Sequence, residues 1–216
     1  MIFEHLRGRR ILVFAGHTNK DSGTILIAKE GSTYYSWEAE VNLDIALSLA
    51  HDLKIHSNNE CQVFIGHGSW RRRGQLAKLI NPDAIVSIHC NSVIDDTVRG
   101  GEVWYSGDNL SKELATAIMD SLAHNSPIPS RGARDMMAET NPRRKLFDTV
   151  PERPCVLVDC GFLSNREDCE LLTHQPFQDI VALKIGLGLE AFFEPTLPTS
   201  EGGATGGPTA DSPDND

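Results

Sequence analysis

Polar side chains of metal-binding type stand after several apolar, strand-like segments of this 216-residue chain. His17 and His89 each follow such a segment, and Asp159 interrupts the apolar stretch CVLVDCGF. Glu38 stands near the start of a predicted helix. Two histidines and one glutamate with an open fourth position form a known catalytic zinc set, and a further carboxylate can act as a general base. These residue types therefore indicate a metal-dependent hydrolase, provided that they meet in space.

Each residue taken alone has a structural explanation that the sequence leaves open. A histidine after an apolar strand, such as His17 or His67, is more often a satisfied structural residue than a ligand. Glu38 fits the first turn of a helix, where the helix dipole favours acids. Asp159 could cap the turn that follows its strand. The metal interpretation depends on these side chains sharing one edge of the fold.

The hydrophobic pattern predicts an α/β protein that would create such an edge. Apolar runs predict strands at 9–17, 61–67, 83–90, 100–106 and 155–162. Helical spacing and capping signals predict helices at 36–53, 72–80, 109–124, 164–172 and 175–193. Ser36 and Ser164 are the expected N-caps of the first and fourth of these helices, and 125–153 is expected to be loop. We expect a single domain with a twisted, mostly parallel or mixed sheet and helices on both faces, and sites in such sheets gather beyond the carboxyl ends of strands.

Composition restricts the class of protein. The net charge of −10 argues against nucleic-acid binding, which uses a basic face. Residues 194–216 contain five acids, no Lys or Arg and many Pro, Gly, Ser and Thr, so we expect a disordered tail after a folded domain of residues 1–193. The five cysteines contain no C-x-x-C pair, which favours core thiols in a reducing compartment. We predict no transmembrane segment and no secretory signal peptide, and hence a cytoplasmic protein as synthesised.

Several motifs in order make the sequence similar to one enzyme family. They are FAGHTNKDSG (14–23), WEAEVNLDIALSLA (37–50), IVSIHCNS (85–92), GGEVWY (100–105) and LVDCGFLSNREDCELL (157–172). Together they resemble the zinc-dependent N-acetylmuramoyl-L-alanine amidases of bacteria and phages. The resemblance implies that His17, Glu38 and His89 bind Zn²⁺ and that Asp159 occupies the position of the catalytic glutamate. It further implies a peptidoglycan substrate, cleaved at the amide between N-acetylmuramic acid and L-alanine.

Two departures from the family pattern affect the expected site. Asp159 is one methylene shorter than the family's glutamate, so a non-catalytic, zinc-containing peptidoglycan-binding or regulatory relative is the alternative to an active enzyme. The stretch FIGHGSWRRRGQL (64–76) lacks the family's T-R dipeptide, which leaves His67 without a counterpart. The arginines 71–73 are expected to form a solvated helix start or ion pairs. A third alternative, a nucleophilic Cys90 or Cys160 beside a histidine, lacks any local signature.

The segment between the third expected ligand and the catalytic acid is short. His89 and Asp159 are separated by predicted strands, a helix and a loop, so no helical plug over the zinc is expected. Together with the absence of a predicted signal peptide and of a wall-binding module, this favours an endolysin-type lytic enzyme that reaches the cell wall after release.

Overall fold

A six-stranded mixed sheet forms the centre of the protein. The computed structural model describes residues 2–17, 23–24, 38–138, 142–150 and 152–195. The strands are β1 (Arg10–Ala15), β2 (Gln62–Gly66), β3 (Ala84–Asn91), β4 (Gly101–Tyr105), β5 (Ser130–Asp135) and β6 (Cys155–Phe162). Their order across the sheet is β2-β1-β3-β6-β4-β5. β4 runs antiparallel to β6, and the other neighbouring pairs are parallel.

Helices cover both faces of this sheet. They are α1 (Glu38–His56), α2 (Trp70–Ile80), α3 (Asn109–Ala123), α4 (Lys145–Thr149), α5 (Arg166–Leu172) and α6 (Gln175–Phe193). Short 3₁₀ turns lie at Met136–Ala138 and Pro142–Arg144. α1, α3 and α6 pack together over one face, and α2 and α4 pack together over the other. The expected single-domain α/β fold is confirmed.

Successive residues of a strand pack into hydrophobic cores on opposite faces of the sheet, which explains why the strands are continuous apolar runs in the sequence. In β6, Val156 and Val158 belong to the larger core under α1, α3 and α6, whereas Cys155 and Leu157 belong to the smaller core on the opposite face. All eight residues of β6 are buried. A strand covered on both faces needs apolar residues at every position, so an acid within it stands out.

The strand and helix predictions agree with the structure, with differences at particular positions. The prediction that 125–153 is loop was wrong, because β5 lies within it and adds a parallel edge strand to β4. Its sequence SRGARD is almost devoid of apolar residues, so hydrophobic patterning could not reveal it. Asn165, rather than Ser164, caps α5 by accepting hydrogen bonds from the backbone nitrogens of Glu167 and Asp168. The Ser36 prediction lies outside the described residues.

The last helix lies near the end of the described part of the chain. α6 stops at Phe193, and the described residues stop at Pro195. The tail prediction for 194–216 falls almost entirely outside the described residues and stays a prediction. Among the described residues, no helix is both long and apolar enough to span a membrane.

Candidate metal centre

Three of the four predicted site residues converge on one point at the edge of the sheet. The ligand atoms of His17, Glu38 and His89 all lie within 4.8 Å of one another. Glu38 Oε1 lies 3.3 Å from His17 Nε2 and 3.4 Å from His89 Nδ1. Glu38 and His89 are buried, whereas the His17 side chain is 27% exposed. The group therefore opens to solvent on the His17 side.

Separate elements deliver these three side chains to the same edge. His17 follows β1 with a left-handed backbone (φ 59°). His89 lies near the end of β3, the strand next to β1. Glu38 is the first residue of α1, and its backbone nitrogen donates to the Thr24 carbonyl oxygen. Because parallel strands end at the same edge, β1 and β3 place their histidines together.

Neighbouring groups hold the Glu38 carboxylate in place. The Thr24 backbone nitrogen donates to Oε2 at 3.1 Å, and the Asn42 side-chain amide and the Cys90 backbone nitrogen approach Oε1 at 3.4 Å. Asn42 also donates to the Gly16 carbonyl oxygen at 3.2 Å, which links α1 to the end of β1. The carboxylate is thus fixed between the two histidines.

The charge states of these groups suit a metal ion. Burial raises the pKa of Glu38, but hydrogen bonds and charge interactions with His17 and His89 outweigh burial and leave that pKa below its usual range. Burial lowers the pKa of His89 to about 4, against the opposing effect of Glu38, so His89 is neutral at neutral pH. An ionised carboxylate and a neutral imidazole are the forms that bind zinc. The donor set of two imidazoles and one carboxylate fits Zn²⁺.

Glycines on both sides leave room for this close approach. A Cβ atom added to Gly16 would lie 2.5 Å from His89 Nδ1 and 2.7 Å from Asn42 Nδ2. A Cβ atom added to Gly23 would lie 2.5 Å from Glu38 Oε2. Any larger residue at these positions would displace the candidate ligands.

Arg73 of α2 links the two strands that carry the histidines. It is buried and donates from Nη1 to Ser87 Oγ (3.2 Å), from Nη2 to the Ala15 carbonyl oxygen (3.3 Å) and from Nε to the Gly68 carbonyl oxygen (3.0 Å). Ser87 and Ala15 stand two residues before His89 and His17. Arg71 and Arg72 are exposed, as a solvated helix start requires, whereas Arg73 is buried, so the expectation of a solvated side chain was wrong for Arg73.

Asp159 lies one strand away from the candidate ligands. It is the Cα partner of His89 in the parallel β3–β6 pair, so the two side chains point to the same face. The carboxylate is fully buried and accepts hydrogen bonds from Arg143 Nη1 (2.7 and 2.8 Å) and from Trp104 Nε1 (3.1 Å). Burial raises the pKa of Asp159 to about 6, against the opposing effect of Arg143. Arg143 and Trp104 belong to the site without having been predicted from the sequence.

A family model described as N-acetylmuramoyl-L-alanine amidase matches residues 11–191 of the chain, which is nearly all of its described part. The chain belongs to the N-acetylmuramoyl-L-alanine amidase family. This confirms the resemblance read from the motifs and identifies the protein as a hydrolase of that family.

Solved amidase structures show the same fold. The catalytic domain of CwlV from Bacillus (Paenibacillus) polymyxa var. colistinus superposes with a TM-score of 0.73 at 26% identity, over 85% of this chain and 97% of that one. An N-acetylmuramoyl-L-alanine amidase from Clostridium difficile 630 gives a TM-score of 0.74 at 26% identity, over 91% and 100%. Among curated proteins, the amidase LytC of Bacillus subtilis is 28% identical over 193 residues, 86% of this chain but 36% of LytC. The chain thus spans about a third of LytC and nearly all of the two solved domains.

Beside Asp159 lies a second buried acid that sequence reasoning missed. Glu102 of β4 is 2% exposed and is the Cα partner of Asp159. It accepts hydrogen bonds from Asn91 Nδ2 (3.0 Å), Trp104 Nε1 (3.2 Å), Arg131 Nε (3.0 Å) and Arg134 Nη1 (3.1 Å). The available signal was an acid in the middle of the strand GGEVWY, the same kind of signal that marked Asp159.

The side chains of the remaining candidates do not join the three converging side chains. His67 is exposed and follows β2, the edge strand next to β1. Cys90 and Cys160 are buried, and burial raises the pKa of both thiols far above the usual range. Because the thiolate is the nucleophilic form, these side chains are unsuited to nucleophilic catalysis.

Proposed function

We propose that this protein is a zinc-dependent amidase that hydrolyses the amide between N-acetylmuramic acid and L-alanine in peptidoglycan. The observation that carries this proposal is the convergence of His17, Glu38 and His89 within 4.8 Å, at the sheet edge next to Asp159. Membership of the amidase family supports the reaction and favours an enzyme over the non-catalytic alternative.

The three converging side chains would hold the zinc ion. His17, as the most exposed of the three, lies on the side from which substrate enters. When bound, zinc supplies Lewis acidity, which activates water and polarises the amide carbonyl. Burial of Glu38 and His89 keeps bulk water from competing with these side chains for the zinc ion. The hydrogen bonds of Glu38 fix its orientation.

Asp159 would act as the general base and then as the general acid. The attacking water adds its oxygen to the amide carbon, and its proton passes to the Asp159 carboxylate. When the carbon–nitrogen bond breaks, that proton passes to the leaving nitrogen, which departs as the free amine of L-alanine. Arg143 keeps part of its side chain exposed while contacting both Asp159 oxygens, so it lies between this carboxylate and solvent.

The proposal is tested by metal content together with product release. Protein loaded with one equivalent of zinc is expected to release stem peptides with new N-terminal alanine from purified peptidoglycan. Chelation should abolish this activity, and added zinc should restore it. His89→Ala is expected to lose both zinc and activity, whereas the matched control His67→Ala, at an exposed histidine, should keep both. Chelator-resistant activity, or zinc retained by His89→Ala, would contradict the assignment.

An endolysin-type role with cytoplasmic synthesis is a further part of the proposal. It predicts that cells making the protein grow normally until their inner membrane is permeabilised and then lyse. Lysis should fail for His89→Ala made at the same level. Lysis without permeabilisation would argue against this role and leave the amidase activity itself untouched.

A further inference from the structure

Resting on the proposed function, we propose that Arg131 is a specificity-determining residue that binds a carboxylate of the peptide part of the substrate. Arg131 lies beside Glu102, on the side of Asp159 that faces away from the candidate metal ligands.

The Arg131 guanidinium is held in a fixed orientation. Its Nε donates to Oε2 of the buried Glu102 at 3.0 Å, and its Cζ lies 5.1 Å from the centroid of the buried Phe162 ring. Gly100 makes room for its aliphatic part, because a Cβ atom there would lie 2.9 Å from Arg131 Cγ. An arginine fixed in this way loses little conformational entropy when it binds a ligand.

The free edge of this guanidinium is available to a ligand. The side chain is 34% exposed, and its two terminal nitrogens make no hydrogen bond within the described part of the chain. Two parallel N–H groups on such an edge match the two oxygens of a carboxylate, in the charge-assisted geometry for which arginine is suited. Neutral hydroxyl and acetamido groups of a glycan would not need a charged donor here.

The position of Arg131 relative to the metal centre sets which carboxylate it reaches. His89, Asp159 and Glu102 are Cα partners in three adjacent strands, and β5 with Arg131 follows. Strands lie about 4.8 Å apart, so Glu102 lies about 10 Å from His89 across the sheet. An extended peptide rises about 3.3 Å per residue. Because the Arg131 guanidinium lies against Glu102, a substrate lying along this row would bring to it a carboxylate roughly three residues from the cleaved amide.

The test compares two soluble muramoyl-tripeptides, one ending in a free carboxylate and one ending in a carboxamide. Zinc-loaded protein is expected to cleave the carboxylate form with a kcat/KM at least about 10-fold higher. Arg131→Gln should lose that preference, mainly through a higher KM for the carboxylate form, and should change the carboxamide form less than about twofold. Arg131→Lys should recover part of the preference, because lysine keeps the positive charge but lacks the two parallel N–H groups of the guanidinium.

Controls separate a specificity role from a structural one. Glu102 keeps Arg134, Asn91 and Trp104 as partners in the Arg131 variants, so the site should still fold. Arg166→Gln removes an arginine that is 89% exposed and pairs with Glu170 within α5, and it should leave the preference unchanged. Equal cleavage of both substrates by the unaltered protein, or equal losses on both in Arg131→Gln, would overturn the inference.

A binding measurement keeps this inference separate from the proposed function. If the zinc-loaded protein cleaves neither substrate, the proposed reaction fails, and calorimetric titration with the two tripeptides still tests Arg131. Tighter binding of the carboxylate form that Arg131→Gln abolishes would then support the inference. Equal binding of both forms would refute it.

Discussion

At the scale of single residues, the Asp159 carboxylate combines full burial with fixed hydrogen-bonding partners. Burial alone would keep it protonated well above the range of an ordinary aspartate, and Arg143 opposes this effect. The outcome is an acid whose pKa of about 6 allows it to be ionised at neutral pH and yet accept a proton. That property suits a group that takes a proton from water and returns it to an amine.

The first prediction at this scale concerns the charge of Asp159. Asp159→Asn keeps the shape but cannot accept a proton, so we expect kcat to fall by about 10²- to 10⁴-fold. Zinc content and melting temperature should stay close to those of the unaltered protein, because Asn retains an oxygen for Arg143. Asp159→Glu, which restores the family's residue, should remain active. A fully active Asn variant would remove Asp159 from the mechanism.

The second prediction concerns pH and Arg143. Because the base must be ionised, kcat/KM should fall as the pH drops through about 6. Arg143 lowers the pKa of Asp159, so Arg143→Gln should raise it and move the acid limb of the pH profile to higher pH. Arg144→Gln, at a half-exposed arginine paired with Asp148, should leave the limb in place. A limb that stays put or moves to lower pH in Arg143→Gln would exclude the proposed interaction.

At the scale of elements, the meeting of β1, β3 and α1 decides the geometry of the centre. The Gly16 backbone nitrogen donates to the Ile88 carbonyl oxygen at 2.8 Å, so the chain leaving β1 stays against β3. Asn42 holds the first turns of α1 against Gly16. These two contacts hold the end of β1 against β3 and against α1, so both histidines lie next to Glu38.

This packing predicts the effect of a single methyl group. Gly16→Ala would place Cβ 2.5 Å from His89 Nδ1, so His89 must move, and we expect zinc affinity to fall by at least about 10-fold. Gly101→Ala on β4 is the matched control, because its Cβ would make ordinary contacts at 3.4 Å or more. Competition with a zinc-binding dye measures both variants. Equal zinc affinity in both would show that the glycine is not needed for the site.

At the scale of the whole molecule, the N-terminal segment and the last helix close the larger core together. Phe3 and Leu6 are fully buried in that core. Glu190 of α6 accepts hydrogen bonds from the backbone nitrogens of His5 (2.9 Å) and Leu6 (3.2 Å). The two ends of the domain are therefore joined before the acidic tail begins.

This arrangement predicts which C-terminal changes matter for stability. Glu190→Ala leaves two backbone donors without their partner and is expected to lower the free energy of unfolding by about 1–3 kcal/mol. Glu194→Ala, at an exposed position after the helix, should change it by less than about 0.5 kcal/mol. Deletion of residues 196–216 should likewise leave the free energy of unfolding nearly unchanged. Urea unfolding of the three variants measures these effects, and strong destabilisation by the deletion would refute a disordered tail.

The sequence alone determined the class of fold and the four residues first proposed for the site. Continuous apolar runs reveal strands buried on both faces. An imidazole or carboxylate after such a run stands out, because burying a polar group costs free energy unless it has a partner. Strand β5 escaped this reasoning because an edge strand is held by backbone hydrogen bonds, which leave little trace in its side chains. Ser164 was likewise mistaken for the cap of α5, because neighbouring polar residues compete for that role within one turn.

Only the tertiary structure decided which side chains meet. His17, Glu38 and His89 are far apart in sequence, and their convergence depends on strand order and on the turn at His17. The partners of Asp159 and Glu102 were equally hidden, because Arg143, Arg131 and Trp104 reach them across strands and turns. In a sequence, arginine side chains are usually taken for surface residues. Whether a guanidinium ends in solvent or on a buried acid depends on packing between elements that are distant along the chain.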